Sequence, residues 1–259
     1  MKKKFQTKFN KDYEMTSFKY KSLLLLGLLV LTHCGQKKSN NESDNKGDIK
    51  EGLHADGGTW GVKLSEKTDE NDSIYILLIG DSILGGYRKQ VAENLEGLSV
   101  DTWMTGKHLN SDGLIDELKA VITQRKYVVI HFNIGLHGWQ KGRIPEGQYV
   151  PLLENYVRTL REFAPQAKLI WASTTPVTEE GTPILNKEIN PTIIERNALA
   201  AEVMKKNGVV VNDLYTVVVN RLDLARLDRF HWNAAGYQIM ANQILENIKK
   251  SNETYNNSY

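Results

Sequence analysis

The chain has one cysteine, Cys34, so no disulfide can close within it. Its charge is nearly balanced, at +2 over 259 residues, which removes the broad electrostatic case for nucleic acid as a partner. Its N-terminal apolar run, Leu23 to Leu31, is about nine residues long and too short to span a bilayer. There is no internal repeat, which excludes solenoid and propeller architectures. No set of His, Cys and carboxylate residues has the spacing of metal ligands, so no metal and no cofactor are expected. Gly85-Gly86 is followed by neither the lysine of a phosphate loop nor a dinucleotide-binding pattern.

The composition is that of a globular protein, 41% hydrophobic and 25% charged. The short apolar run follows a Lys-rich leader, as the core of a signal peptide does. It ends Leu31-Thr32-His33-Cys34, which resembles the bacterial lipoprotein signal, where the peptide is cut before a cysteine that then carries lipid. His33 departs from that pattern, which favours a small residue. Met15 offers a second start, with a leader running from Met15 to His33. The expectation is lipid attachment at Cys34 and a place in the bacterial cell envelope, with the membrane as a partner through that anchor. A cleaved signal releasing a secreted protein is the alternative, and a buried apolar segment is a third reading. Residues 1–34 are thus signal and lipid-attachment site. Residues 35–72, rich in Lys, Ser, Asn, Asp and Gly over their first part, read as a flexible tether. Residues 73–250 form the domain, and 251–259 a polar tail.

Between tether and tail, short apolar runs alternate with amphipathic stretches. Strands are predicted at 73–79, 99–104, 127–132, 168–173 and 208–211, and helices at 84–96, 114–124, 147–163, 192–206 and 234–249. Strands alternating with helices of this length imply right-handed βαβ units and a parallel sheet covered on both faces. Ligands of such sheets bind at the carboxyl ends of the strands. Ser82, Asn133 and Thr174 all fall just past strand ends.

Ile79-Gly80-Asp81-Ser82 closes the first strand and opens a helix, which lifts the Ser82 hydroxyl off the sheet. The helix start supplies N–H groups that can hold a developing oxyanion. Asp228-Arg229-Phe230-His231 precedes the last helix. The order Ser, Asp, His is that of one convergent hydrolase arrangement. A serine hydroxyl needs a base to take its proton, and an imidazole, titrating near neutrality, suits the task. The plainer alternatives are Ser82 as a helix N-cap and Asp228 as a capping residue beside a surface histidine. Asp81 reads as a brace of the turn, and Asp213, a competing acid that nothing ties to His231, as structural or pocket-lining. His131 reads as core, and His137 as a loop histidine or pocket wall.

These residues resemble the SGNH/GDSL hydrolase family over about Ile74 to Ile248. The first block is matched by Ile79-Gly80-Asp81-Ser82-Ile83 and the last by Asp228-Arg229-Phe230-His231-Trp232-Asn233. A bacterial secreted or lipid-anchored branch is resembled through His131-Phe132-Asn133-Ile134-Gly135-Leu136-His137 and Leu169-Ile170-Trp171-Ala172-Ser173-Thr174-Thr175-Pro176-Val177. The resemblance implies a flavodoxin-like three-layer α/β/α sandwich with a five-stranded parallel sheet. It implies Ser82 as nucleophile, His231 as base and Asp228 as its orienter. It gives the oxyanion hole to Ser82, to Gly106 and to the side-chain amide of Asn133. The usual third block reads Gly-x-Asn-Asp, whereas Asn133-Ile134-Gly135 reverses the order, so Asn133 and the Gly135 N–H remain alternatives. The activity implied is hydrolysis of acyl esters, acetyl foremost, on carbohydrate or another acylated small molecule or polysaccharide. A glycan-binding or acyl-transferring descendant is the other reading.

The lipid expectation has a direct check. The mature protein should partition with membranes, and mass spectrometry should find lipid on Cys34. Cys34→Ala should yield unlipidated protein. An unmodified N-terminus at or beyond Gly35 would mean an ordinary secreted protein.

Overall fold

The computed structural model of the chain describes residues 52–53, 59–65 and 74–256. Cys34, the leader and most of the expected tether lie outside them. Five parallel strands form the centre: β3 (Ile74–Gly80), β4 (Leu98–Met104), β5 (Tyr127–Phe132), β6 (Lys168–Ala172) and β7 (Val210–Asn212). They lie side by side in the order β4-β3-β5-β6-β7. Counted among themselves this is second, first, third, fourth, fifth, the flavodoxin-like order. Strands of such a sheet are covered on both faces and so read as nearly continuous apolar runs, as Ile76 to Ile79 do.

The helices are α1 (Ser82–Glu93), α2 (Leu114–Ile122), α3 (Tyr149–Phe163), α4 (Asn190–Lys206), α5 (Leu214–Val219) and α6 (Ala234–Asn256). Alternate strand residues feed two cores. Ile76 and Leu78 pack with Leu84 and Tyr87 of α1 and Met240 and Ile244 of α6. Leu77 and Ile79 pack with Leu118 of α2, Tyr156 of α3 and Met204 of α4. Helices α1 and α6 approach closely at Gly86, where a Cβ would fall 2.0 Å from Tyr237 Cζ.

Most element ends lie within three residues of the sequence reading, and the larger departures are at the two ends of the domain. The sheet gains an antiparallel edge from within the expected tether. β2 (Thr59–Lys63) pairs with β4, and β1 (Gly52–Leu53) pairs with β2. At the other end α6 continues to Asn256, through six residues assigned to the tail. The edge is tied down by a buried carboxylate that hydropathy does not reveal. Asp101 of β4 accepts from Ser65 N at 2.7 Å, Ser65 Oγ at 2.8 Å and Tyr127 Oη at 2.9 Å, and pairs with Arg125 at 3.3 Å. With its charge compensated, Asp101 can be wholly buried. The segment after β2 is thereby drawn onto the sheet.

The strand ends open at the site. Thr105 N donates to Gly80 O at 2.9 Å, and Asn133 N to Ile79 O at 3.0 Å. Pairing thus carries β4 and β5 past β3 on either side of the turn at Ser82. The switch point of the sheet lies between β3 and β5, where this fold type binds ligands.

His131 is fully buried in β5, as its place in an apolar run predicts. Its Nε2 lies 3.1 Å from Asn212 Nδ2, which makes Nε2 the acceptor, and Nδ1 has no partner among the described residues. Burial pushes the imidazole down to about 3, so it is neutral in the fold. The unfolded chain takes up that proton near the ordinary histidine value of about 6.5. Its contribution to stability is therefore complete above about pH 6.5 and is lost as pH falls toward 3. Urea midpoints measured across this window should decline with acidity, and His131→Gln should flatten the decline.

Candidate active site

The first helix begins at Ser82, two residues before the expected start at 84, and its cap is Asp81. The Asp81 carboxylate accepts from Ile83 N at 2.9 Å, so Ser82 is the first residue of α1 and not its N-cap. Burial raises the Asp81 carboxyl above its usual range, while the neighbouring imidazoles of His137 and His231 and the Ile83 N–H pull the other way. Ser82 is itself buried, its hydroxyl facing the acid–base loop.

That loop reaches back across the molecule. His231 Nε2 lies 2.9 Å from Ser82 Oγ, and Nδ1 lies 2.9 Å from Asp228 Oδ2. Asp228 Oδ1 also accepts from His231 N at 2.8 Å and Phe230 N at 3.2 Å, a turn in which the acid fixes both backbone and ring of its partner. Partial burial would raise the Asp228 carboxyl, but the hydrogen bonds from His231 and Phe230 hold it below the usual range. It is anionic at neutral pH and keeps the Nδ1–H tautomer, leaving Nε2 free to accept from serine. Asp213 has no part in this. It caps α5, accepting from Thr216 N at 3.1 Å and Ser173 Oγ at 2.8 Å.

The turn is strained. Leu227 and Arg229, on either side of Asp228, have φ of 63° and 79°. Such left-handed backbone is disfavoured for residues with side chains and persists only where the surroundings enforce it. Enforcement comes from the segment after β6. Thr178 N donates to Arg229 O and Gly181 N to Leu227 O, each at 2.9 Å. Thr178 and Leu185 form an antiparallel bridge at the base of this segment, and Asn186 Nδ2 donates to Glu179 Oε2 at 2.9 Å. The exposed Arg229–Glu180 pair at 3.1 Å adds little beside these bonds.

The third block departs from its assignment. Asn133 sits at the end of β5 as expected, but its amide donates to Ala172 O at 2.7 Å and Thr174 Oγ1 at 3.3 Å. Its carbonyl accepts from Gly135 N at 3.0 Å. Both alternatives, the Asn133 amide and the Gly135 N–H, are thus committed to bracing the loop. Gly135 is needed for the fit, since a Cβ there would lie 1.9 Å from Thr174 Oγ1. Gly106 is exposed beside His137 and Trp60, where the strand-end reading put it.

A cavity of about 230 Å³ opens at the Ser82–His231 pair and is walled by Leu136, His137, Trp139, Gln140 and Phe230. A wider cleft of about 500 Å³ also adjoins Ser82, over Gly85, Gly86 and Met104. Trp60 of β2 meets the His137 ring edge-on, with centroids 5.7 Å apart. Sequence reasoning missed Trp60, Trp139 and Phe230. Phe230 adjoins His231 and could have been named from that alone. Trp60 could not, because its strand lay within the expected tether.

Residues 78–239 match the profile of the GDSL-like Lipase/Acylhydrolase family. The chain is 22% identical over 263 residues to the uncharacterized protein YpmR of Bacillus subtilis strain 168, covering 88% of this chain and 95% of that one. The fold is shared with Axe2, an acetylxylan esterase from Geobacillus stearothermophilus (TM-score 0.53, 20% identity, 67% of this chain and 93% of that one). It is shared too with a carbohydrate esterase family 3 protein from Talaromyces cellulolyticus (TM-score 0.57, 18% identity, 68% and 97%).

The commitments of Asn133 make a prediction. Asn133→Ala should lower the thermal midpoint, because two strand-end loops lose their brace. Turnover per folded molecule should stay within a few-fold of wild type, measured with a chromogenic ester on protein shown to be folded by circular dichroism.

Proposed function

The chain belongs to the GDSL-like lipase/acylhydrolase family and is an SGNH-type ester hydrolase, and from that footing we propose a serine mechanism carried by Ser82, His231 and Asp228. The observation that carries the proposal is the continuous chain of hydrogen bonds, Ser82 Oγ to His231 Nε2 and His231 Nδ1 to Asp228 Oδ2, each 2.9 Å long.

In the proposed reaction Ser82 Oγ attacks the ester carbonyl while His231 Nε2 takes the hydroxyl proton. Asp228 accepts from Nδ1–H and steadies the imidazolium. The negative charge on the carbonyl oxygen meets N–H groups at the start of α1, with the backbone of Gly106 as a second donor. Collapse of the intermediate expels the alcohol, which leaves with the proton from Nε2. Water then adds to the acyl-enzyme with His231 again as base, and the carboxylic acid departs from a regenerated Ser82.

The substrate side rests on chemistry at the cavity mouth. Acetyl is proposed as the acyl group and carbohydrate as the alcohol. Trp139 and Phe230 supply aromatic surface of the kind that packs on sugar faces, next to polar Gln140. The solved relatives named as acetylxylan and carbohydrate esterases share the fold and suggest the substrates to try first. A lipid anchor at Cys34 would hold the enzyme at the cell envelope, near acylated polysaccharide.

The test is acetate release from a panel of acetylated polysaccharides, with butyrate and octanoate esters alongside. Ser82→Ala and His231→Ala should each reduce kcat by about 10⁴-fold or more, and the double variant should be no worse, because the residues act as a unit. A Ser82→Ala protein with more than a few per cent of wild-type turnover would refute the serine mechanism.

A further inference from the structure

Hydrolysis through a tetrahedral intermediate needs donors aimed at the oxygen on which charge develops. The start of α1 and the Gly106 backbone supply main-chain groups. The side-chain donor expected from Asn133 is committed to Ala172 and Thr174. Building on the serine mechanism proposed above, we infer that His137 donates this hydrogen bond from its imidazole to the oxyanion.

Four observations place His137 for the task. It walls the cavity that opens at Ser82 and His231. It adjoins the other donor, since a Cβ on Gly106 would lie 3.8 Å from His137 Cε1. It is carried on a tight 3-10 turn, Leu136–Gly138, in which Gly138 N donates to Gly135 O at 3.2 Å. Its ring is steadied by the edge-on contact with Trp60, and its carbonyl accepts from Arg143 Nη1 at 2.6 Å. The imidazole of His137 is the foremost group offsetting the burial of Asp81, the residue next to Ser82, which agrees with a ring close to the nucleophile's turn.

The chemistry asks little of this ring. An imidazole carries at least one N–H whether neutral or protonated, so it can donate without changing its protonation state. No proton is transferred. His137 stabilises charge, while His231 alone accepts and returns the serine proton. A donor held by packing before the reaction begins costs no reorganisation when the charge appears.

His137→Phe tests the assignment because it keeps a ring against Trp60 and removes the donor, while His137→Gln restores an N–H. The readouts are kcat and KM on a chromogenic acetate ester, affinity for a boronic acid that forms a tetrahedral adduct on Ser82, and the thermal midpoint. His137→Phe should lose about 100- to 1,000-fold in kcat with KM within about two-fold, since the bond strengthens in the transition state. Boronic acid affinity should fall with kcat, the thermal midpoint should hold, and His137→Gln should recover much of the loss. Near-normal kcat in His137→Phe would overturn the inference. So would a rise in KM alone, which would make His137 a contact for the substrate's alcohol. So would a large kcat loss in folded Asn133→Ala with none in His137→Phe. The serine mechanism is read separately: it fails if Ser82→Ala stays active, and it stands if Ser82→Ala is inactive while His137→Phe is not.

Discussion

The hydrogen bond between Ser82 and His231 joins residues 149 positions apart in sequence, and the rest of the architecture serves to make it. One partner is fixed by the β3–α1 turn at the centre of the sheet. The other rides on a short loop before α6. For the two to meet within 2.9 Å, α6 must lie against α1, and the loop must project over the strand ends. Gly86 allows the first by admitting the Tyr237 ring where any side chain would collide. The second depends on two residues held in left-handed backbone, Leu227 and Arg229.

Strain of that kind is kept only when neighbouring structure outweighs the gain from relaxing. Here the neighbour is the segment after β6, which grips the loop through main-chain bonds on both sides of Asp228. The end of β6 and the start of that segment hold Asn133, through Ala172 and Thr174. One connection thus braces both the acid–base loop and the loop after β5. It is anchored in turn by Asn190, whose Oδ1 accepts from Val177 N at 3.1 Å. The side chains that touch the substrate space are few. Those that keep them in register are spread over β5, β6 and the start of α4.

Much of this was legible in the sequence. The five parallel strands and their helices follow from apolar runs alternating with amphipathic ones, because a strand buried on both faces can be built in few ways. Ser82, Asp228 and His231 were legible because each sits in a short block tied to an element boundary. The edge strand Thr59–Lys63 was not. Its attachment depends on Asp101, Ser65 and Arg125, polar residues whose pairing is set by tertiary contact and leaves no periodic trace. Helix α5 was missed because six residues are too few for periodicity to declare. Asn133 was placed correctly at a strand end, yet its amide turned to the neighbouring strand. Position along the chain predicts where a side chain starts and not which of several nearby acceptors it reaches.

The central claim is that Ser82 attacks the ester and carries the acyl group. The direct measurement is acid-quenched mass spectrometry of the enzyme within one turnover of an activated acetate ester. The account predicts a single acetyl adduct on the peptide containing Ser82, appearing at the rate of alcohol release and absent from Ser82→Ala. Turnover without any adduct in that time, or an adduct on another residue that forms and decays at the catalytic rate, would contradict it.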